Sequence, residues 1–370
     1  MVMKFRSGRF AFFLIPAVIL ISCHPPTGVS TLEEVETPAP TQTETYTSSP
    51  TKINPETKPS KSPEPTNSFS PALQFNSWEI VNDLAFSPNG DLLAVSAGNT
   101  IHVYDASSLV ELYSIPIGVW ANRLAFHPTL PLLALAAKDG TVEFRETESG
   151  KLICKFSAHN KGAISLSINP DGNLLATTGT DIKSRLWDIS SLIENKCEIN
   201  EMGSFIGESY SSPDVEFSPD GESIALVDLT NIRLRSSSDR KLIALLDSPQ
   251  TIFDIAFSPD GHWLASAGDQ SLVTTWDLNA SPKPVKTEWE LGDQNVQSFI
   301  WRVVFSPDSR TLAVGTSDGK IVLLDLASAQ KIMEYSLPRS VTALAFSPDG
   351  QFLAAGGLDS AVWLFPIIQK

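Results

Sequence analysis

Apolar stretches and polar turns alternate along most of the chain in one repeated order. An apolar stretch such as "DIAF", ending at Phe257, precedes the turn Ser-Pro-Asp-Gly, and small or aliphatic residues such as "FLAAGG" from Phe352 follow the turn. A second turn with Asp or Asn near Gly leads to a third apolar stretch and then to a more polar fourth one. Short runs of this kind, bounded by turn residues, predict strands. Each unit is therefore expected to form four antiparallel strands.

The proline of the repeated turn marks seven units. The hexapeptide "AFSPDG" stands at Ala256–Gly261 and again at Ala345–Gly350, and near-copies complete the set. The seven prolines are Pro88, Pro128, Pro170, Pro219, Pro259, Pro307 and Pro348. They lie roughly 40 to 50 residues apart, and a β-rich repeat of this period is typical of a propeller. The pattern predicts an all-β fold: a seven-bladed β-propeller of four-stranded antiparallel blades.

The two ends of the repeat region predict how the ring closes. The last unit ends just after its third strand, "AVWLF", and leaves little chain for a fourth. The stretch "ALQFNS", Ala72 to Ser77, precedes the first unit and belongs to no other. We expect it to supply the outer strand of the last blade, so that the propeller domain covers residues 72–370.

The first residues resemble a lipoprotein signal peptide. Lys4, Arg6 and Arg9 precede an apolar run from Phe10 to Ile21, which is short for a membrane span but suits a signal sequence. The run ends in Leu-Ile-Ser-Cys, which resembles the bacterial lipobox, with Cys23 as the residue that receives the lipid. This predicts a signal peptide at 1–22 and a membrane lipoprotein facing the extracytoplasmic side. The alternatives are an ordinary secretory signal with a chance Cys, or an uncleaved anchor.

Composition changes after this signal and separates a linker from the repeats. Residues 23–71 are rich in Pro, Thr and Ser and poor in aliphatic side chains. Such a segment cannot bury enough apolar surface to offset its ordering entropy, which predicts a disordered tether. The whole chain has a formal net charge of −15. This acidity argues against a nucleic-acid partner, because binding phosphates needs a basic surface.

The units resemble WD40 repeats over about residues 72–370. Trp187-Asp188 and Trp276-Asp277 carry the dipeptide for which that family is named. The resemblance implies a buried structural tetrad in the third unit: His159, Thr177, Asp181 and Trp187. In the fifth unit Ser266 and Trp276 remain, but Gln270 stands where Asp is expected. The "FSPDG" motif is also typical of TolB-type propellers, which have nearly the same architecture.

Residues that could carry chemistry are few. No two of the five His have the spacing of metal ligands, and no nucleophile elbow or phosphate loop is present, so we expect no metal, cofactor or catalytic residue. One set of equivalent positions in the first strands is expected to surround the mouth of the central channel: Asp83, Arg123, Ser165, Asp214, Asp254, Arg302 and Ala343. Its charged members could bind a polar ligand. The alternative is a ring whose charges neutralise one another.

Aromatic residues precede or begin several first strands. In WD40 proteins these loops help to form the face on which partners dock, and exposed Trp and Tyr are good interface anchors. The candidates are Trp78, Trp120, Tyr210, Phe253, Phe299 and Trp301. We predict partner binding by Trp120, Tyr210, Phe299 and Trp301 above all. The function expected is a non-enzymatic, membrane-tethered scaffold for a protein or peptide; the alternative is an enzyme or small-ligand sensor at the channel mouth.

Two further cysteines, Cys154 and Cys197, could form a disulfide in an oxidising compartment. The repeat pattern assigns them to outer strands of neighbouring units. Such strands are usually too far apart for a bridge. We therefore expect two free, half-buried thiols.

Overall fold

The computed structural model describes residues 70–206, 214–280, 283–291, 298–328 and 330–367. The predicted signal peptide 1–22, Cys23 and almost all of the predicted tether lie outside these residues, as does Tyr210. Within the described ranges, no helix has the length and apolar character needed to cross a membrane.

Seven four-stranded antiparallel sheets make up the fold, which confirms the predicted propeller. The strands of blades 1 to 3 are β2 (Val81–Phe86), β3 (Leu92–Ala97), β4 (Thr100–Asp105) and β5 (Glu111–Pro116), then β6 (Ala121–Phe126), β7 (Leu132–Ala137), β8 (Thr141–Glu146) and β9 (Leu152–Ser157), then β10 (Ala163–Ile168), β11 (Leu174–Gly179), β12 (Lys183–Asp188) and β13 (Asn200–Ile206). A 3₁₀ helix at Ser190–Glu194 precedes β13.

Blades 4 to 6 have the same strand order, from the innermost strand outwards. Their strands are β14 (Val215–Phe217), β15 (Ser223–Asp228), β16 (Asn231–Ser236) and β17 (Leu242–Asp247), then β18 (Ile252–Phe257), β19 (Trp263–Gly268), β20 (Leu272–Asp277) and β21 (Val285–Glu290), then β22 (Ile300–Phe305), β23 (Thr311–Thr316), β24 (Lys320–Asp325) and β25 (Gln330–Ser336).

Both ends of the propeller build blade 7. Its inner strands are β26 (Val341–Phe346), β27 (Phe352–Gly357) and β28 (Ala361–Pro366), and its outer strand is β1 (Leu73–Gln74). Leu73 pairs with Val362, and Gln74 with Ala361. The predicted ring closure is thereby confirmed.

The repeated turn fixes the connection between the first two strands of a blade. In blade 5 the N–H of Gly261 donates to the carbonyl of Ser258 at 2.8 Å, and the Ser258 hydroxyl donates to Asp260 at 2.5 Å. Gly261 has a φ of +73°, which a residue with a side chain adopts only with strain. Each residue of the motif therefore has a distinct part in the same tight turn.

The core lies between neighbouring blades rather than in one centre. Second strands are almost wholly buried, and β7 is buried along its full length. Small residues there allow close approach: a Cβ on Gly356 would lie 2.5 Å from a methyl carbon of Val81 in blade 1. Each sheet thus buries its apolar faces against the next, which accounts for the need for a closed array.

The prediction of two free thiols is wrong, because Cys154 and Cys197 form a disulfide with a Cα–Cα distance of 5.1 Å. Cys154 lies on β9, as predicted, but Cys197 precedes β13 and belongs to the loop that follows the 3₁₀ helix. Ile189 and Leu192 of this connection share a buried core cluster with Cys154. The loop therefore packs against blade 2 and brings Cys197 within bonding distance.

Candidate partner-binding face and channel mouth

The innermost strands all begin at one end of the propeller, which we call the upper face. It contains the loops that enter the first strands and the turns between second and third strands. The Ser-Pro-Asp-Gly turns lie at the opposite, lower face. Both the channel mouth and the predicted aromatic residues of the described part of the chain belong to the upper face.

The four residues of the predicted tetrad lie together in blade 3. His159 lies 2.8 Å from Asp181 through Nδ1 and 2.9 Å from the Thr177 hydroxyl through Nε2. The Trp187 indole N–H donates to the same hydroxyl at 2.9 Å. Burial lowers the pKa of His159, although Asp181 opposes this shift. The neutral ring therefore links the loop, second strand and third strand of the blade.

Two arginines cross the channel mouth. Arg123 of blade 2 reaches Asp214 of blade 4 at 2.7 Å and Asp254 at 3.1 Å. Arg302 of blade 6 reaches Asp83 of blade 1 at 2.7 Å and also contacts Asp254 at 3.1 Å. The five charged residues among the seven predicted to surround the mouth thus belong to one ion-pair network.

Small residues make these spans possible. Each arginine extends past the blade beside it to reach an aspartate two blades away. The intervening positions hold Ser165, whose hydroxyl lies 3.2 Å from Arg123 Nε, and Ala343, which is fully buried. A large side chain at either position would occupy the path of the guanidinium group. The short side chains at these two positions therefore leave room for the arginines to reach across the mouth.

The aspartates also bind the backbone of the neighbouring blade. Asp83 accepts the N–H of Leu124 at 2.7 Å, Asp214 that of Ile255 at 3.0 Å, and Asp254 that of Val303 at 2.8 Å. The register of the first two strands shifts one residue before the mouth position in six blades. Such a bulge disrupts the ladder locally. The carboxylates therefore satisfy inter-blade donors as well as the arginines.

Burial raises the pKa of several carboxyl groups near the mouth above the usual range. Burial raises the pKa of Asp83 to about 6, and it raises the pKa of Asp254 well above its usual value. Glu216, two residues below Asp214 on the channel wall, has a pKa raised to about 8 by burial and by Asp214. Glu216 was missed at the sequence level because it occupies a position filled elsewhere by Ala, Ser or Val. Protonation of such groups brings the network closer to neutrality.

Three of the predicted aromatic residues form a contiguous group, which we call the aromatic cluster: Phe253, Phe299 and Trp301. The rings of Phe253 and Trp301 stack with centroids 5.1 Å apart and an interplanar angle of 15°. Phe299 meets Trp301 edge-on at 5.8 Å and Phe253 at 6.2 Å. All three are half-buried. The cluster joins blades 5 and 6 at the rim of the channel.

Trp120 lies elsewhere on the upper face, in blade 2. Lys138 Nζ lies 4.7 Å from the centroid of its ring, which is a cation–π contact. Trp120 and Lys138, together with Asn99, Val119 and Asp139, line a cavity of about 390 Å³. Trp78 is 75% exposed in the loop before β2. The structure therefore does not bring the aromatic candidates into one patch.

Histidine and acidic side chains form no metal site in the described part of the chain, where no group of three or more potential ligands converges. His127 illustrates their structural use. Its Nδ1 accepts N–H groups of Thr129 and Leu130, at 3.3 and 3.0 Å, and its Nε2 lies 2.8 Å from the carbonyl of Gly172. This ring replaces the serine of the repeated turn and joins the lower ends of blades 2 and 3.

A repeat family described as "WD domain, G-beta repeat" matches residues 69–105, 150–188, 236–277, 290–325 and 331–365. These five segments make up just over half of the chain. Four of them end at the third-strand Asp of their blades: Asp105, Asp188, Asp277 and Asp325. The match thus coincides with the strand pattern of the propeller.

Several curated proteins are similar to the chain. "Nuclear distribution protein PAC1" of Arthroderma benhamiae is 26% identical over 279 residues, which cover 67% of this chain and 59% of that protein. "WD repeat-containing protein 82" of Drosophila melanogaster is 24% identical over 299 residues, covering 77% and 90%. "Protein LST8 homolog" of Drosophila pseudoobscura pseudoobscura is 28% identical over 185 residues, covering 49% and 57%. The chain thus spans about three fifths of the PAC1 relative.

Proposed function

We propose that the chain, which belongs to the WD40 repeat family, is a membrane-tethered scaffold outside the cytoplasm. Propellers of this family typically act as platforms for protein–protein interaction, which supports the scaffold role. Its upper face would bind a protein or peptide partner. The observation that carries the proposal is the aromatic cluster. Trp and Tyr are enriched among the residues that anchor interfaces, and Phe is enriched in interfaces generally.

Equivalent positions in other blades strengthen this argument. Phe253 and Trp301 are the bulged residues of their first strands. In blade 2 the bulged residue is Asn122, whose side chain donates to the carbonyl of Ala163 at 2.6 Å. In blade 7 it is Thr342, which donates to the carbonyl of Val81 at 2.5 Å. Blades 5 and 6 place aromatic rings where these blades place inter-blade hydrogen bonds, and the stacked rings connect the two blades while remaining partly exposed.

The channel mouth supports a structural role for its charged residues. Arg123 and Arg302 already contact carboxylates, and Arg302 is 7% exposed. A polar ligand would have to displace these ion pairs to reach either guanidinium group. The ligand-sensor alternative therefore has less support than partner binding on the rim.

Two features support the location. The lipobox-like Cys23 and its apolar run are features of an exported lipoprotein. The Cys154–Cys197 disulfide suits an oxidising compartment, because disulfides are rare where glutathione and thioredoxin keep thiols reduced. Neither feature depends on the other.

Membrane fractionation tests the tether. Cys23→Ala should move the protein from the membrane fraction to the soluble fraction or block its processing, and thiol trapping should find Cys154 and Cys197 oxidised in the wild type. Firm membrane attachment of the Cys23→Ala protein would overturn lipid anchoring. Free thiols at both other positions would count against an extracytoplasmic location.

Capture of the partner tests whether the upper face is the binding surface. In-cell crosslinking should recover a reproducible partner with the wild type and lose it when Phe253 and Trp301 are both replaced by Leu. Phe352→Leu provides a matched control, because Phe352 is 41% exposed at the lower end of β27. A partner lost from the Phe352 variant but kept by the cluster variant would show that the upper face is not the binding surface.

A further inference from the structure

The aromatic cluster has the chemistry to receive a cation. We infer that the partner contributes a lysine or arginine side chain, which lies against the exposed surfaces of Phe253 and Trp301. This inference rests on the proposed function and adds the chemical class of the partner's anchoring residue. The geometry of the cluster, the charge around it and a comparison within the same face support it.

The three rings of the aromatic cluster face in two different directions. Phe253 and Trp301 stack nearly parallel, and Phe299 meets both at angles of about 70°. Three rings on two blades therefore present two differently directed π surfaces at one place. Trp provides the most favourable aromatic face for a cation, and a guanidinium group can also stack on it.

Two carboxylates of upper-face turns form hydrogen bonds to residues close in sequence to the cluster. Asp318 accepts the hydroxyl of Ser298, the residue before Phe299, at 2.8 Å. Asp269 accepts the N–H of Thr251, two residues before Phe253, at 3.0 Å. Lys320 Nζ is 3.5 Å from Asp318 and offsets part of this charge. Each of the two loops that lead into the cluster therefore forms a hydrogen bond to a carboxylate.

The charge of the chain favours the same class of partner. The formal net charge is −15, and Asp139 in a turn of the upper face has a side chain that is 37% exposed. Opposite charge on a partner increases its rate of encounter and favours it over acidic competitors. A basic segment therefore fits this face better than an acidic one.

Two other aromatic rings in the structure already have a cationic side chain of the same chain lying over them. Lys138 lies over Trp120 at 4.7 Å, and Arg235 lies over Phe205 with its Cζ 5.2 Å from the centroid. No cation from the described residues lies over Phe253, Phe299 or Trp301. Trp120 already has a cationic neighbour from its own chain, whereas the cluster offers its surface to one from outside.

Selection from a random peptide library tests the inference. The full-length protein in detergent would be used to select twelve-residue peptides displayed on phage. Recovered peptides should contain Lys or Arg at one shared position more often than the unselected library. Replacing that residue by norleucine or citrulline should weaken binding about fivefold to thirtyfold, as expected for a partly desolvated cation–π contact. This change leaves the protein itself untouched.

Variants of the protein locate the contact. The Phe253→Leu and Trp301→Leu double variant should bind the basic peptides at least fivefold more weakly, and should lose most of its ability to distinguish Arg from citrulline. Phe352→Leu should bind as the wild type does. Thermal unfolding of each variant establishes that it is folded.

Three results would overturn the inference. Peptides that need the aromatic cluster but contain no basic residue would exclude a cation while leaving partner binding on the upper face intact. Basic peptides that bind the double variant as well as the wild type would exclude the cluster as their site. Recovery of no peptide above background would also count against a site of this class.

Discussion

The channel mouth and the aromatic cluster lie on the same face but differ in how far their own chain satisfies them. At the mouth, Arg302 contacts Asp83 and Asp254, and both carboxylates also accept backbone N–H groups. At the cluster, Phe253 and Trp301 contact each other and remain half-buried. The charged groups of the first region are paired within the chain, although the buried Nε of Arg302 has no hydrogen-bond partner among the described residues. The rings of the second region keep part of their surface exposed.

Under the proposed function, this difference means that charge alone is a poor guide to a binding site. The mouth attracts attention at the sequence level because it combines three acids and two arginines, yet these groups neutralise one another. Buried ion pairs of this kind make a poor ligand site, because each partner is already held. The aromatic cluster carries no charge, but it includes a Trp, a residue type that often anchors interfaces.

Removal of Arg302 should have the largest effect on stability. Arg302→Ala leaves Asp83 buried without its ion-pair partner and leaves Asp254 with Arg123 alone. Breaking a buried pair in this way costs roughly 3–5 kcal/mol. Chemical denaturation should show this loss in the free energy of unfolding. Arg123→Ala should cost less, because the Arg123 side chain is 18% exposed, against 8% for Arg302.

Equal stability of the wild type and Arg302→Ala would break the comparison, since the mouth would then not depend on its ion pairs. Partner binding serves as the second measurement. A folded Arg302 variant that keeps its partner would agree with a purely structural mouth.

Much of the fold could be predicted because its determinants are local. The turn centred on Pro259 and Asp260 recurs with the same spacing, and the match between Ala72–Ser77 and an unfinished last unit revealed the ring closure. The disulfide could not be predicted this way. It depends on how the connection around Leu192 packs against blade 2, and a repeat pattern contains no information about inserted residues.

The site was predicted as sets of equivalent positions rather than as contacts. Asp83, Asp254 and Arg302 could be placed on one ring, but their pairing depends on which blades hold small residues between them. Glu216 was missed because its environment arises from neighbouring blades. The stacking of Phe253 on Trp301 depends on the bulge that each residue occupies in its own first strand. No local motif in the sequence indicates these bulges.

Glu216→Gln should alter the pH dependence of stability. The pKa of Glu216 is about 8 in the fold and near 4.3 in an unfolded chain, so the folded state holds this proton more tightly. The contribution of Glu216 to the free energy of unfolding is therefore greatest below about pH 4. It declines as the pH rises to about 8, by at most roughly 1.4 kcal/mol per pH unit. The variant should lose less stability over that range.

Denaturation curves between pH 5 and 9 measure this effect. Asp83→Asn is the matched comparison, because the pKa of Asp83 is raised to about 6 and its effect should end at a lower pH. Parallel curves for the wild type and the Glu216 variant would show that Glu216 does not hold a proton in the channel.

Substitution within the aromatic cluster should affect binding far more than stability. Trp301→Leu keeps an apolar side chain at a half-buried position, so its cost in unfolding free energy should be about 1–2 kcal/mol, smaller than that of Arg302→Ala. Loss of an aromatic anchor typically costs at least 2 kcal/mol of binding. Calorimetric titration with a captured partner, next to thermal unfolding, separates the two effects. A Trp301→Leu protein that is much less stable but binds its partner normally would show that the aromatic cluster serves stability rather than binding.

The smallest effect is expected at Trp120. Lys138→Met removes the ammonium group 4.7 Å from the Trp120 ring and keeps most of the side-chain volume. An exposed cation–π contact contributes about 0.5–1 kcal/mol, so the unfolding transition should shift by only a few degrees. If partners bind only at the aromatic cluster, their affinity should not change. A large loss of affinity would instead place Trp120 and its cavity within the interface, and the binding surface would then extend from blade 6 across the mouth to blade 2.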